Sequence, residues 1–184
     1  IGSAALTDNT SGAFNTAVGS SALDVNTTGD SNTGVGRSAL GGNTTGDRNT
    51  ALGHGSLLSN TTADNNTAVG YLALNLNTTG TANVAVGKDA LLANTTANNN
   101  VDVGNDALTT NTTGTQNTAV GSLALDANTT AGNQTAIGYN ALSAATTGSG
   151  SNTAVGGNAL AANTTGAFNV AVGQAALHSN TTAS

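Results

Sequence analysis

The chain has 184 residues, with two Phe, two Tyr and neither Trp nor Met, and an apolar share of 37% carried largely by Ala, Val and Leu. A globular core is assembled from bulkier side chains, so this palette argues against a compact sphere and for a thin core of small aliphatic groups. The net charge of −6, with nine Asp against Arg37, Arg48 and Lys88, leaves no basic footprint for nucleic acid.

Disorder fits poorly, because unstructured segments are usually rich in Pro and charge, whereas this chain has no Pro and 7% charged residues. The absence of Cys removes disulfides and thiolate metal sites together. No apolar run approaches the roughly 20 residues that span a bilayer, so this segment is not expected to insert into a membrane.

Internal periodicity dominates everything else. A glycine ladder, Gly2, Gly19, Gly36, Gly53, Gly70, Gly87, Gly104, Gly121, Gly138, Gly156 and Gly173, advances by 17 residues with a single step of 18. The additional residue falls within Thr147-Gly148-Ser149-Gly150-Ser151, which is therefore expected to be a turn that leaves the flanking strands in phase. The consensus N-T-A-V-G-x-x-A-L-x-x-N-T-T-G-x-x is filled with Gly, Asn and Thr, which are poor helix formers. Stacked short strands fit better, and the prediction is an all-β parallel solenoid, or β-roll, of about eleven coils over residues 1–184. At about 4.8 Å per coil it would make a rod of roughly 50 Å.

Taken in chain order, a coil opens on an Asn column: Asn15, Asn32, Asn49, Asn66, Asn83, Asn100, Asn117, Asn152 and Asn169, with Gln134 in the tenth place. Stacked amides of this kind would bond along the array and tie down turn backbone. The strand follows. The residue before each ladder glycine is aliphatic: Ile1, Val18, Val35, Leu52, Val69, Val86, Val103, Val120, Ile137, Val155 and Val172. This column is expected to face the core, and by alternation so is that of Thr16, which accepts Val84, Val101 and Val170.

Between them lies a face kept small: Ala17, Gly34, Ala51, Ala68, Ala85, Ala119, Ala136, Ala154 and Ala171, with Asp102 the one large departure. A face pressed against another backbone must avoid bulk, so it is read as a lateral packing face; the alternative is a second tight interior face of a flattened coil. A Leu column completes the predicted core: Leu6, Leu23, Leu40, Leu57, Leu74, Leu91, Leu108, Leu125, Leu142, Leu160 and Leu177. At the last corner the Gly29 column admits Ala63, Ala97, Ala131 and Ala183, which suggests a tight bend without a strict need for positive φ.

The N-T-A-V-G segments, such as Asn15-Thr16-Ala17-Val18-Gly19 and Asn117-Thr118-Ala119-Val120-Gly121, resemble the head repeats of YadA-like trimeric autotransporter adhesins. They are also similar to N-T-A-V-G…A-L…N-T-T-G arrays of phage tail fibres. The resemblance covers essentially the whole chain and implies a left-handed parallel β-roll, three chains packed side by side, and the residues matching Val18 turned inward. This sequence departs from the adhesin pattern in its longer period and its added N-T-T-G corner.

Four sets of residues invite a functional reading, each against a plainer one. Asp30, Asp47 and Asp64 share a slot in successive coils, where they would bridge Ca²⁺ or simply be solvated turn residues. The N-T-T or N-T-S triplets at Asn9, Asn26, Asn43, Asn60, Asn77, Asn94, Asn111, Asn128, Asn163 and Asn180 are glycosylation sequons, or else an inward ladder that no sugar reaches. The unbroken Thr column beginning at Thr27 would offer ranked hydroxyls to ice or glycan, although adjacent Thr residues point to opposite sides. Tyr71 and Tyr139 share one slot and Phe14 and Phe168 another, where an aromatic face would meet a sugar ring or stand as an isolated surface side chain.

His54 and His178 are too far apart along the rod to cooperate, and no nucleophile set, carboxylate cleft or phosphate loop survives the repeat reading, so neither catalysis nor a cofactor is expected. The expectation is a structural or adhesive module of an extracellular, cell-surface or virion fibre. It would self-associate as a homotrimer, or head to tail as a filament, and meet a host-surface glycan or protein. The alternative is a solenoid that binds ice or glycan through its Thr columns.

Overall fold

The computed structural model describes residues 1–147 and 150–183. Ten three-residue strands, β1 (Thr16–Val18), β2 (Thr33–Val35), β3 (Thr50–Leu52), β4 (Thr67–Val69), β5 (Val84–Val86), β6 (Val101–Val103), β7 (Thr118–Val120), β8 (Thr135–Ile137), β9 (Thr153–Val155) and β10 (Val170–Val172), form one sheet in sequence order. Every pairing is parallel and joins equivalent positions, as in Thr67↔Val84, Ala68↔Ala85 and Val69↔Val86. The chain is thus a β-solenoid in which each coil lies on the last.

The 18-residue step leaves this register intact. Strand β8 meets β9 through Thr135↔Thr153 and Ile137↔Val155, so the extra residue is absorbed at the corner, as expected. Gly148 and Ser149 of that corner lie outside the described residues.

The Leu column is core. Leu23, Leu40, Leu57, Leu74, Leu91, Leu108, Leu125, Leu142 and Leu160 are all fully buried, each worth roughly 1.5–3 kcal/mol. Only the outermost copies are less covered: Leu6 packs partly against the cluster, and Leu177 is exposed.

The two faces of the strand are the reverse of the expectation. Ala51, Ala68, Ala85, Ala119, Ala136 and Ala154 are completely buried, with Ala17 and Ala171 nearly so, whereas Val18, Leu52, Val103, Ile137 and Val172 are exposed. Val35, Val69, Val86, Val120 and Val155 are half-buried on the same outer side. The cause is the width of the coil. A methyl group built on Gly34 would lie 3.4 Å from Leu23 Cγ and 3.1 Å from the Ala39 carbonyl oxygen, so Leu reaches across from the opposite wall and leaves little room under the strand for anything larger than Ala. Gly34 and the Ala residues of its column therefore do not form a lateral face; they line a tight interior, as the alternative reading of a flattened coil had it. The Val column that the adhesin likeness turned inward faces outward.

The opposite wall is built from turns, and it stores strain. Leu23 sits at φ 51 and Leu108 at φ 45, in the left-handed region that costs an L-residue roughly 1–2 kcal/mol. Burial of the Leu side chain offsets that cost. The ladder glycines have a stricter reason for their identity. Gly70 lies at φ +142, and a methyl group there would sit 2.2 Å from the Gly87 carbonyl oxygen, so both conformation and contact between coils exclude a side chain. At the Gly29 corner no positive φ occurs among the described residues, and Ala63, Ala97 and Ala131 are buried there.

Candidate functional site

With the strand reversed, the largest continuous feature of the surface is the outer sheet face. Two ranks of side chains, those of the first and third residues of each strand, run its whole length. The first rank is Thr16, Thr33, Thr50, Thr67, Val84, Val101, Thr118, Thr135, Thr153 and Val170; the second contains only Val, Leu and Ile. No charge interrupts either rank. Alternation on a pleated strand, applied with Ala inward, accounts for the arrangement.

The polar columns carry structure instead. In the inward sequon column each Asn from Asn26 to Asn128 is tied twice: Asn43 Nδ2 donates to Asn26 Oδ1 at 2.8 Å and to the Gly46 carbonyl at 3.0 Å. Asn26, Asn43, Asn60, Asn77, Asn94, Asn111, Asn128 and Asn163 are fully buried, so the nitrogen a glycan would occupy is already committed, and no sugar fits. The Asn that opens each coil does similar work. Asn49 Nδ2 donates to the Ala63 carbonyl at 2.8 Å, while Asn49 Oδ1 accepts the Asn66 backbone N–H at 2.9 Å. Both ladders replace water for buried turn backbone.

The Thr column is spent in the same way. The hydroxyls of Thr10, Thr27, Thr44, Thr61, Thr78, Thr95, Thr112, Thr129 and Thr164 each donate to the carbonyl of the equivalent Thr one coil on, at 2.9–3.3 Å. Those donors are unavailable to a ligand.

Asp30, Asp47 and Asp64 are also brought into line, but as backbone acceptors. Ala13 N–H donates to Asp30 Oδ1 at 2.7 Å, Asp30 N–H to Asp47 Oδ1 at 2.8 Å and Asp47 N–H to Asp64 Oδ1 at 2.7 Å. Asn98 serves Thr81 identically, which shows that an amide oxygen does in this slot what the carboxylates do. Among the described residues no group of three or more His, Cys, Asp or Glu side chains is placed to hold a metal ion.

Asp102 is the departure that the sequence exposed and did not explain. In the middle of β6 it takes an interior Ala slot, fully buried, and neither carboxyl oxygen has a hydrogen-bond partner. Burial pushes its pKa well above the ordinary carboxyl range.

At the other edge of the sheet, the residue after each ladder glycine is exposed in a run of consecutive coils: Arg37, His54, Tyr71 and Lys88. The His54 and Tyr71 rings stack at 5.4 Å. Tyr139 stands alone further along, and Phe14 and Phe168 are exposed at distant corners.

Comparison with known proteins adds nothing to these surfaces: no family model matches the chain, and neither the curated proteins nor the solved structures supply a match.

Proposed function

We propose that the chain is a structural and adhesive module of an extracellular fibre, a stiff shaft that associates side by side with further copies. The observation that supports this reading is the outer sheet face. Its twenty uncharged side chains from ten strands match the roughly 20–30 residues that each partner brings to a standard protein interface. Val18, Leu52, Val101, Val103, Ile137, Val170 and Val172 all remain exposed on it, and a long apolar stripe of this kind gains by being covered. The resemblance to adhesin heads and tail fibres points to the same use, with the association surface moved from the Ala column to the Thr/Val face.

Sedimentation over a range of concentrations tests the proposal. The chain should form a defined oligomer, and Val69→Arg combined with Val103→Arg should return it to a monomer with an unchanged far-UV spectrum. A monomer at every concentration would refute lateral association.

The ice reading also moves to this face, because two outward ranks now run in parallel where the Thr27 column offered one. Thermal hysteresis that survives dilution to the monomer, and is lost in the double Arg variant, would favour it.

A further inference from the structure

The outer row of Arg37, His54, Tyr71 and Lys88 differs from every other column of the shaft. The chain has three Lys and Arg residues in all, and two of them fall in this row, with a histidine and a tyrosine between. The row is held in register by the backbone: Gly55 N–H donates to the Arg37 carbonyl at 3.0 Å, Leu72 N–H to that of His54 at 3.0 Å and Asp89 N–H to that of Tyr71 at 2.9 Å. The side chains are therefore set one coil apart, at about 4.8 Å.

Charge is distributed unevenly along the row. Lys88 is partnered by Asp89 and lies 3.8 Å from Asp106, so its charge is largely answered within the protein. Arg37 has no ion pair among the described residues. Next to it come His54 and Tyr71, whose rings lie at a 31° tilt, with Tyr71 half exposed. The row thus offers an unanswered guanidinium and then an aromatic platform in a straight line. On a protein of net charge −6, Arg37 is thus a cation that no carboxylate among the described residues answers.

We propose that this row binds an acidic polysaccharide whose sugars lie along the shaft. A guanidinium holds a carboxylate by two parallel hydrogen bonds. An aromatic ring supplies a flat apolar body with a polar tip against the C–H face of a pyranose. Successive sugars of an extended chain advance by about the height of one coil, so a carboxylate on Arg37 places neighbouring rings over His54 and Tyr71. Nucleic acid is the less apt partner, because phosphate binding draws on many cations and the row has one unpaired.

This inference rests on the adhesive half of the function proposed above, not on lateral assembly, which sedimentation measures separately. The test is affinity electrophoresis and tyrosine fluorescence with polygalacturonate, against dextran and single-stranded DNA. Polygalacturonate should bind and perturb the fluorescence, and dextran should not. Arg37→Ala and Tyr71→Ala should each weaken binding about tenfold, the change expected from losing one charged or stacking contact. Arg48→Ala, at a different corner of the coil, should have no effect. All three positions are exposed, so unchanged far-UV spectra will show that the fold is kept. No binding, equal binding of dextran, or equal loss in Arg48→Ala and Arg37→Ala would overturn the proposal. So would binding of DNA that matches polygalacturonate and ignores Tyr71.

Discussion

Asn128 Oδ1 is buried without a hydrogen-bond partner, and the residue one coil on, where every neighbouring step of the ladder supplies an amide, is Ala145. From Asn26 to Asn128 the nitrogen of each Asn donates to the oxygen of the Asn below it, as Asn128 Nδ2 does to Asn111 Oδ1 at 2.9 Å. The ladder is thus broken at one rung, and the break leaves an acceptor dry.

Ala145→Asn should restore the rung. Relieving an unsatisfied buried acceptor is worth about 1–3 kcal/mol, and the larger side chain gives back part of that in lost rotamer freedom. We expect a net gain of about 1 kcal/mol, read as a higher urea midpoint at unchanged slope. No gain would mean that water already fills the site.

Asp102 predicts an unusual pH dependence. Its folded pKa is raised above an unfolded value of about 3.9, so the neutral acid favours the fold and the carboxylate opposes it. Stability is therefore greatest below the unfolded pKa and falls as pH rises through and beyond it, by up to about 1.4 kcal/mol per pH unit until the folded pKa is reached. Asp102→Ala places the column's usual residue in the slot. It should raise stability, and by more at pH 7 than at pH 3. Urea midpoints at both values decide the matter, and equal midpoints for the two proteins at pH 7 would contradict it.

Ala82 is exposed at φ 56, in the left-handed region that glycine alone adopts freely. Ala82→Gly keeps the backbone bond from Ala82 N–H to the Asp64 carbonyl at 3.2 Å. It should stabilise the chain by about 1 kcal/mol, seen as a higher thermal midpoint.

Two glycines a few residues apart should respond to different degrees. Gly87 lies at φ +143, and a methyl group there would stand 2.3 Å from the Gly104 carbonyl oxygen. Gly87→Ala should cost about 3 kcal/mol and open β5 and β6 to hydrogen exchange. Gly80 has no positive φ, and although a methyl group there would meet the Ala97 carbonyl oxygen at 2.3 Å, the same corner accommodates Ala63 and Ala97 in adjacent coils, so Gly80→Ala should cost clearly less than Gly87→Ala. Comparable exchange profiles for the two variants would show that the ladder glycines are not under strain.

The solenoid, its period, the Leu column and both Asn ladders were legible in the sequence, because stacking repeats one environment in every coil and prints it as a column. The facing of the strand was not legible, for a physical reason. Alternation separates Ala17 from Val18 without saying which is inside, and the habit of placing the larger aliphatic inward fails when the opposite wall supplies the bulk. A usable signal lay in the exchange pattern. The outer ranks trade Thr for Val and Val for Leu or Ile, as a surface permits, while the Ala17 column stays at Ala or Gly apart from Asp102. Its narrowness reflects close contact with another backbone, and that backbone is the far wall of the same coil. The Arg37 row was missed because its members share no residue type, so no column stood out.

The corner around Thr147 and Ser151 has a practical consequence. Strands β8 and β9 pair in register across an 18-residue separation as faithfully as their neighbours do across 17, so the walls tolerate an added residue between them. A peptide grafted there would project from a known height on the shaft while the coils above and below kept their spacing. An odd-numbered insertion within a strand would instead turn the remaining side chains of that strand to the wrong side of the sheet.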